Sequence, residues 1–190
     1  MEKFIIQGGR KLSGSVRPSG NKNEALPVLT ATLLTSEPVI LHNVPRIRDV
    51  LVVCDILKKQ GARVDWLAEN TVEICCADVK GGALDPELCK KIRASILFAG
   101  PMVARFGNAI LHPPGGDVIG RRRIDTHLDV LAALGTDLTV DRVYEFRSGR
   151  LQGADIFMDE ASVTATENAI MAASLAEGTT ILRNAACEPH

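Results

Sequence analysis

Apolar positions along this chain fall into three kinds of stretch that recur in a fixed order. The first kind, at residues 25–34, 92–103 and 169–175, is apolar almost all the way round a helical projection. A helix with no polar face is a buried one, so these three stretches are predicted to form the interior. Each is followed by a turn and then by a near-copy of one short strand: Pro38-Val39-Ile40-Leu41-His42-Asn43, Asn108-Ala109-Ile110-Leu111-His112-Pro113 and Thr179-Thr180-Ile181-Leu182-Arg183-Asn184. The central isoleucines are separated by 110 − 40 = 70 and 181 − 110 = 71 residues, the signature of one structural unit written three times.

After the shared strand, copies one and two continue with an amphipathic pattern. Val50, Leu51, Cys54, Ile56 and Leu57 carry the apolar side in the first, and Leu128, Val130, Leu131 and Leu134 in the second. Gly61 and Gly135 follow where a helix C-terminus calls for a left-handed residue. Alternating segments at 63–67 with 71–76, and at 137–140 with 143–146, read as paired strands across tight turns. Residues 151–157 open the third copy, and residues 1–9 read as a strand entering a glycine turn. The predicted fold is α/β: repeated βαβαββ units with buried helices and outer sheets, the third unit incomplete.

Composition narrows the class without naming a function. A chain of 190 residues with 46% apolar content can bury a substantial core. A formal charge of −1 argues against a general nucleic-acid surface, and no apolar run approaches the roughly eighteen residues that span a membrane. The N-terminus lacks a signal-peptide pattern. Five cysteines, none in a CxxC spacing, fit a reducing cytosol better than a disulfide framework or a zinc site, so the expected location is cytoplasmic.

Candidate chemistry lies where polar residues interrupt the repeat. Copy one opens its buried helix with Ser19-Gly20-Asn21-Lys22-Asn23-Glu24. Free backbone donors and the helix dipole favour an anion there, and Lys22 with two amides would add to that. An asparagine cap beside a solvated lysine is the plainer alternative. Copy two places Lys90, Lys91 and Arg93 at the matching point, since 93 − 23 = 70, and a recurring cation favours function. A second interruption, Pro113-Pro114-Gly115-Gly116-Asp117-Val118-Ile119-Gly120-Arg121-Arg122-Arg123, is neither a P-loop nor GxGxxG. Its glycines would admit a close ligand and its arginines a phosphate, a solvated arginine run being the plainer alternative, while Asp117 has the placing of an acid on an active-site loop.

Together, Gly20-Asn21-Lys22-Asn23-Glu24-Ala25-Leu26-Pro27, Leu41-His42-Asn43-Val44-Pro45, Arg93-Ala94-Ser95-Ile96-Leu97, Pro114-Gly115-Gly116-Asp117-Val118-Ile119-Gly120 and Ala176-Glu177-Gly178-Thr179-Thr180 resemble the UDP-N-acetylglucosamine 1-carboxyvinyltransferase family of enolpyruvyl transferases. The resemblance runs from Phe4 to Pro189. It implies a two-lobed protein with three such units in each lobe. Residues 1–21 would belong to the other lobe and 22–190 to the lobe carrying the catalytic loop, with a C-terminal lobe as the missing partner.

The implied reaction moves the enolpyruvyl group of phosphoenolpyruvate to the 3′-hydroxyl of UDP-N-acetylglucosamine by addition and elimination, opening peptidoglycan synthesis. No cofactor, nucleic acid or membrane is implied. The resemblance puts Lys22 and Asn23 at phosphoenolpyruvate and the hydroxyl, and Lys22 and Asp117 in the chemistry. It puts Arg93, Arg122, Arg123, Ile124, Asp125, Thr126, Ser162 and Val163 at the UDP-sugar.

Asp117 stands where most members carry a cysteine proton donor, the fosfomycin target, so fosfomycin insensitivity is implied. A free thiol near pKa 8.5 is protonated at neutral pH, whereas holding an unshifted aspartate protonated at pH 7 costs roughly 4 kcal/mol. Burial must raise that value, and neighbouring arginines act the other way. The family's base and a further arginine have no counterpart here, so the chain alone is expected to be inactive. Cys187 replaces a usual arginine, and nothing in the sequence explains the change. A non-catalytic remnant that keeps the fold as a binding module is the competing reading.

Overall fold

A computed structural model describes residues 3–116 and 123–190. Unit one consists of α1 (Lys22–Ala31) with a 3-10 turn at Thr32–Leu34, β1 (Val39–Leu41), α2 (Arg48–Lys59), β2 (Arg63–Ala68) and β3 (Thr71–Cys75). Unit two comprises β4 (Gly82–Ala83), the short α3 (Pro86–Cys89), a 3-10 segment (Arg93–Phe98) running into α4 (Ala99–Phe106), β5 (Asn108–Leu111), α5 (Asp125–Ala133), β6 (Asp137–Val140) and β7 (Tyr144–Arg147). Unit three has β8 (Asp155–Phe157), α6 (Val163–Ala173) and β9 (Ile181–Arg183).

The three sheets are versions of one sheet. Unit two shows the fullest, in the order β4-β5-β7-β6, with β4 parallel to the shared strand β5 and the β6/β7 hairpin antiparallel on its other side. Unit one has β1-β3-β2, the hairpin side, with β1 as an edge. Unit three has β8 parallel to β9, the opening-strand side. The strand expected in residues 1–9 is absent from the described part: Phe4, Ile5 and Ile6 are 96%, 80% and 86% exposed and unpaired with any sheet. Extended backbone becomes a strand only when a neighbour accepts from its N–H groups and donates to its C=O groups, and no described sheet reaches this segment.

The predicted interior is observed. Leu29, Leu33, Leu97, Phe98, Met102, Ala165 and Ala169 are buried, and α6 packs on α4, α1 and the 3-10 segment. The third helix starts at Val163, well before the expected 169–175. The difference arises because Thr166 and Asn168, polar in the sequence, are buried and bonded inside the core. In α2 the buried face includes Val52 and Val53, while Leu51 is on the solvent side. Gly61 and Gly135 take φ of 98° and 95°, as a left-handed cap requires. Gly107 at φ 70° ends α4 in the same way.

Asn168 ties the interior together. Its Nδ2 donates to Ile96 O at 2.8 Å and to His127 Nδ1 at 2.9 Å, while its Oδ1 accepts from Gly100 N at 3.0 Å. One amide thus joins α6 to the 3-10 segment, to α4 and to α5. Asn168→Ala strands three polar groups in a dry core and is expected to cost about 2–4 kcal/mol of unfolding free energy, read from denaturant midpoints. A loss under 1 kcal/mol would show that water replaces the amide.

Candidate functional site

The inner helices begin at equivalent places. Their N-cap residues are Asn21, Ile92 and Ser162, separated by 92 − 21 = 71 and 162 − 92 = 70 residues. Asn21 Oδ1 accepts from Asn23 N at 2.9 Å and Ser162 Oγ from Ala165 N at 3.4 Å, whereas Ile92 offers no side-chain cap. The first two starts face the turn that follows a shared strand. A Cβ on Gly20 would lie 1.8 Å from Asn43 O, and one on Gly115 would lie 1.7 Å from Lys90 O. Gly115 N also donates to Cys89 O at 3.1 Å, and a Cβ on Gly116 would approach Arg93 N to 3.1 Å. The close approach expected of these glycines is therefore to the protein's own backbone at Lys90 and Arg93.

Both inner-helix cations are held by the start of the following outer helix. Lys22 Nζ sits 2.5 Å from Asp49 Oδ2 in the first turn of α2. Arg93 Nη2 donates to Arg123 O at 2.7 Å, just before α5. Lys90 instead pairs with Glu87 on α3 at 2.8 Å, which turns it toward the surface.

The expected sugar-nucleotide residues divide by burial. Arg123 Nε is 2.6 Å from Asp125 Oδ2, and its Nη2 is 4.0 Å from Asp159 Oδ2. The Asp125 hydrogen bond, ahead of the charges of Asp159 and Glu160, raises the guanidinium pKa further. Ile124 and Thr126 are buried, so they can offer a ligand only backbone; Thr126 Oγ1 is spent on Asp159 Oδ1 at 2.7 Å. Ser162 and Val163 are half-buried at the start of α6. Arg93, Arg123, Thr126 and Asp159 are thus linked in one patch. Lys22 and Asn23 stand on α1, which packs on the 3-10 segment that Arg93 opens. Asp117 and Arg122 lie outside the described residues.

Beneath the patch is His127, 1% exposed. Its Nδ1 accepts from Asn168 and its Nε2 donates to Thr164 Oγ1 at 3.1 Å, which requires the neutral ring. Burial, and then the charge of Arg93, lower its pKa to about 4. The sequence reading missed Asp49, Asp159, Thr164 and His127. Only Asp49 left a signal there, an aspartate opening an outer helix as Asp125 does.

The model of the EPSP synthase (3-phosphoshikimate 1-carboxyvinyltransferase) family matches residues 6–190, and the chain belongs to that family. Within it, the chain is 56% identical over 188 residues to the UDP-N-acetylglucosamine 1-carboxyvinyltransferase of Bradyrhizobium diazoefficiens, covering 99% of the chain and 44% of the relative. It is 53% identical over 190 residues to the enzyme of that name from Treponema denticola, covering 100% of the chain and 45% of the relative. The chain thus spans less than half the length of these relatives, as their N-terminal part. Among solved structures, the enolpyruvyl transferase NikO of Streptomyces tendae aligns at a TM-score of 0.76 and 26% identity over 92% of this chain and 41% of its own. EPSP synthase of Acinetobacter baumannii shares the fold at a TM-score of 0.69 and 15% identity, over 93% and 40% of the two chains. The expected repeated α/β fold is that of these enolpyruvyl transferases. No described helix is long and apolar enough to cross a membrane.

His127 has a folded value of about 4 against an ordinary 6.5, so the unfolded chain takes up the proton first as pH falls. Its contribution is complete above pH 6.5, declines through the window between these values and is lost below it. The gap corresponds to on the order of 3 kcal/mol. Unfolding free energies measured from neutral to acid pH should converge for the parent and His127→Gln, the parent losing more. Parallel curves would contradict the assignment.

Proposed function

We propose that this chain carries the part of a UDP-N-acetylglucosamine enolpyruvyl transferase that binds the sugar nucleotide and supplies the proton donor. One observation carries the reading. Arg93, Arg123 and the start of α6 form one connected patch at the ends of buried helices, in a chain 56% identical to an enzyme of that name. Helix N-termini and guanidinium groups favour a diphosphate, and the half-buried Ser162 at the start of α6 suits a base or sugar edge.

In this reading phosphoenolpyruvate meets Lys22, which exchanges Asp49 for the ligand's phosphate or carboxylate. Asn23 orients the 3′-hydroxyl. That hydroxyl gives its proton to a base and attacks carbon two while Asp117 delivers a proton to carbon three; phosphate then leaves carbon two as carbon three gives up a proton, which restores the double bond of the enolpyruvyl group. Arg122 offsets the phosphate charge, and Arg93 holds the UDP-sugar. The base is supplied by the other lobe, to which residues 1–21 also belong. The chain alone therefore binds weakly and turns over little or nothing. Membership in a cytoplasmic cell-wall pathway follows from the same reading.

Calorimetric titration with UDP-N-acetylglucosamine tests it. Saturable heat is expected for the parent, Arg93→Ala should weaken binding about tenfold or more, and Lys90→Ala should leave it unchanged. Absence of heat in the parent would favour a remnant that keeps only the fold. In the full-length enzyme, fosfomycin should cause no time-dependent loss of activity, and Asp117→Cys should introduce it. Inactivation of the unaltered enzyme would remove Asp117 from the donor's place.

A further inference from the structure

The buried network has two ends of fixed polarity, and they set the direction of every hydrogen bond between them. Gly100 N can only donate and Ile96 O can only accept, so Asn168 turns its oxygen to the first and its amide nitrogen to the second. The flipped amide would set N–H against N–H at Gly100 and oxygen against oxygen at Ile96. Asn168 Nδ2 is therefore the donor to His127 Nδ1 at 2.9 Å, and a neutral ring that accepts at Nδ1 carries its proton at Nε2. Nε2 must then donate, and Thr164 Oγ1 accepts at 3.1 Å.

At Thr164 this chain of donors leaves the core. Thr164 is the second residue of α6, half-buried, and follows Ser162 and Val163. Its oxygen already accepts from His127, so its hydroxyl proton points elsewhere, and among the described residues nothing accepts it. Thr126, also second in its helix, differs: it gives its proton to Asp159 Oδ1. One hydroxyl beside the patch is spent within the chain and the other is available.

We propose that Thr164 is a ligand-contacting residue of the patch, its hydroxyl donating to an anionic oxygen of the sugar nucleotide's diphosphate, with His127 and Asn168 as the positioning residues that aim it. The contact rests on the reading that a sugar nucleotide binds here. Two features select an anionic acceptor over a base or sugar oxygen. From Gly100 through Asn168 and His127 to Thr164 every donor points outward, so each bond polarises the next and the last proton is the most electron-poor. Thr164 also lies in the first turn of an 11-residue helix, where the positive end of the dipole adds to the same field. Asp159, the carboxylate just ahead of α6, is occupied by Thr126 and Arg123 and does not compete for this hydroxyl. A buried neutral histidine thereby directs a surface donor without placing a charge in the core.

Calorimetry and proton NMR of the chain with UDP-N-acetylglucosamine test the contact. Thr164→Ser, which keeps the hydroxyl, should bind within about twofold of the parent, and Thr164→Val, which keeps the shape, about tenfold or more weakly. Valine also deprives His127 Nε2–H of its acceptor, so affinity alone does not separate a lost contact from a loosened helix. The His127 Nε2–H resonance separates them. At saturation with the sugar nucleotide it should move downfield in the parent and in Thr164→Ser, because a hydroxyl that donates becomes a stronger acceptor. Parent-like affinity in Thr164→Val, an equal loss in Thr164→Ser, or a resonance unmoved at saturation overturns the contact while leaving the sugar-nucleotide site standing. No binding by the parent overturns both.

Discussion

The crossing of α4 and α6 at Gly100 and Asn168 is the constraint on which the rest depends. A Cβ on Gly100 would stand 2.6 Å from Asn168 O and 2.8 Å from its Oδ1, so only glycine permits the helices to approach this closely. That approach lets one amide reach the 3-10 segment, α4 and α5 at once. His127, held neutral between Asn168 and Thr164, then fixes how α5 meets α6, and α5 is preceded by the carbonyl that holds Arg93. The placing of the surface cation is therefore set from inside. A charged imidazole could not accept from Asn168, and it would sit beside the Arg93 charge in a medium that screens little.

How much of this was legible in the sequence depends on which residues carry the signal. The repeat and the shared strands follow from short-range pattern: Ile40, Ile110 and Ile181 recur because each lies on the shared strand of its unit. The buried polar network does not follow from pattern. Asn168, Thr166 and His127 count as polar in any periodicity, and for that reason the start of α6 was displaced. Their partners lie 41 and 72 positions away in the cases of His127 and Ile96, a separation that no local rule can anticipate. The opening strand failed for a different reason. Phe4, Ile5 and Ile6 have strand-forming character, but a strand is a property of two segments, and the described chain supplies one.

The cations of the patch also differ from what residue type implies. Arg123 faces Asp125, Asp159 and Glu160, whereas Arg93 meets a carbonyl. A diphosphate approaching Arg123 must compete with carboxylates. Arg123 is better suited to holding Asp125 and the backbone at Ile124 in place, a positioning role that its exposure alone would hide.

Lys22 shows the same logic in unit one, with a different consequence. Its ammonium lies 2.5 Å from the Asp49 carboxylate, both partly exposed, so the pair is screened by water and contributes little to stability. A weak pair that is easily exchanged suits a residue whose partner changes when an anion arrives. Had Asp49 and Lys22 been buried together, release would have left an unpaired charge in the core and held the lysine fast. Half-exposure at the start of α1 gives a cation that is placed without being committed, and the turn at Asn43 packed on Gly20 keeps that placing reproducible.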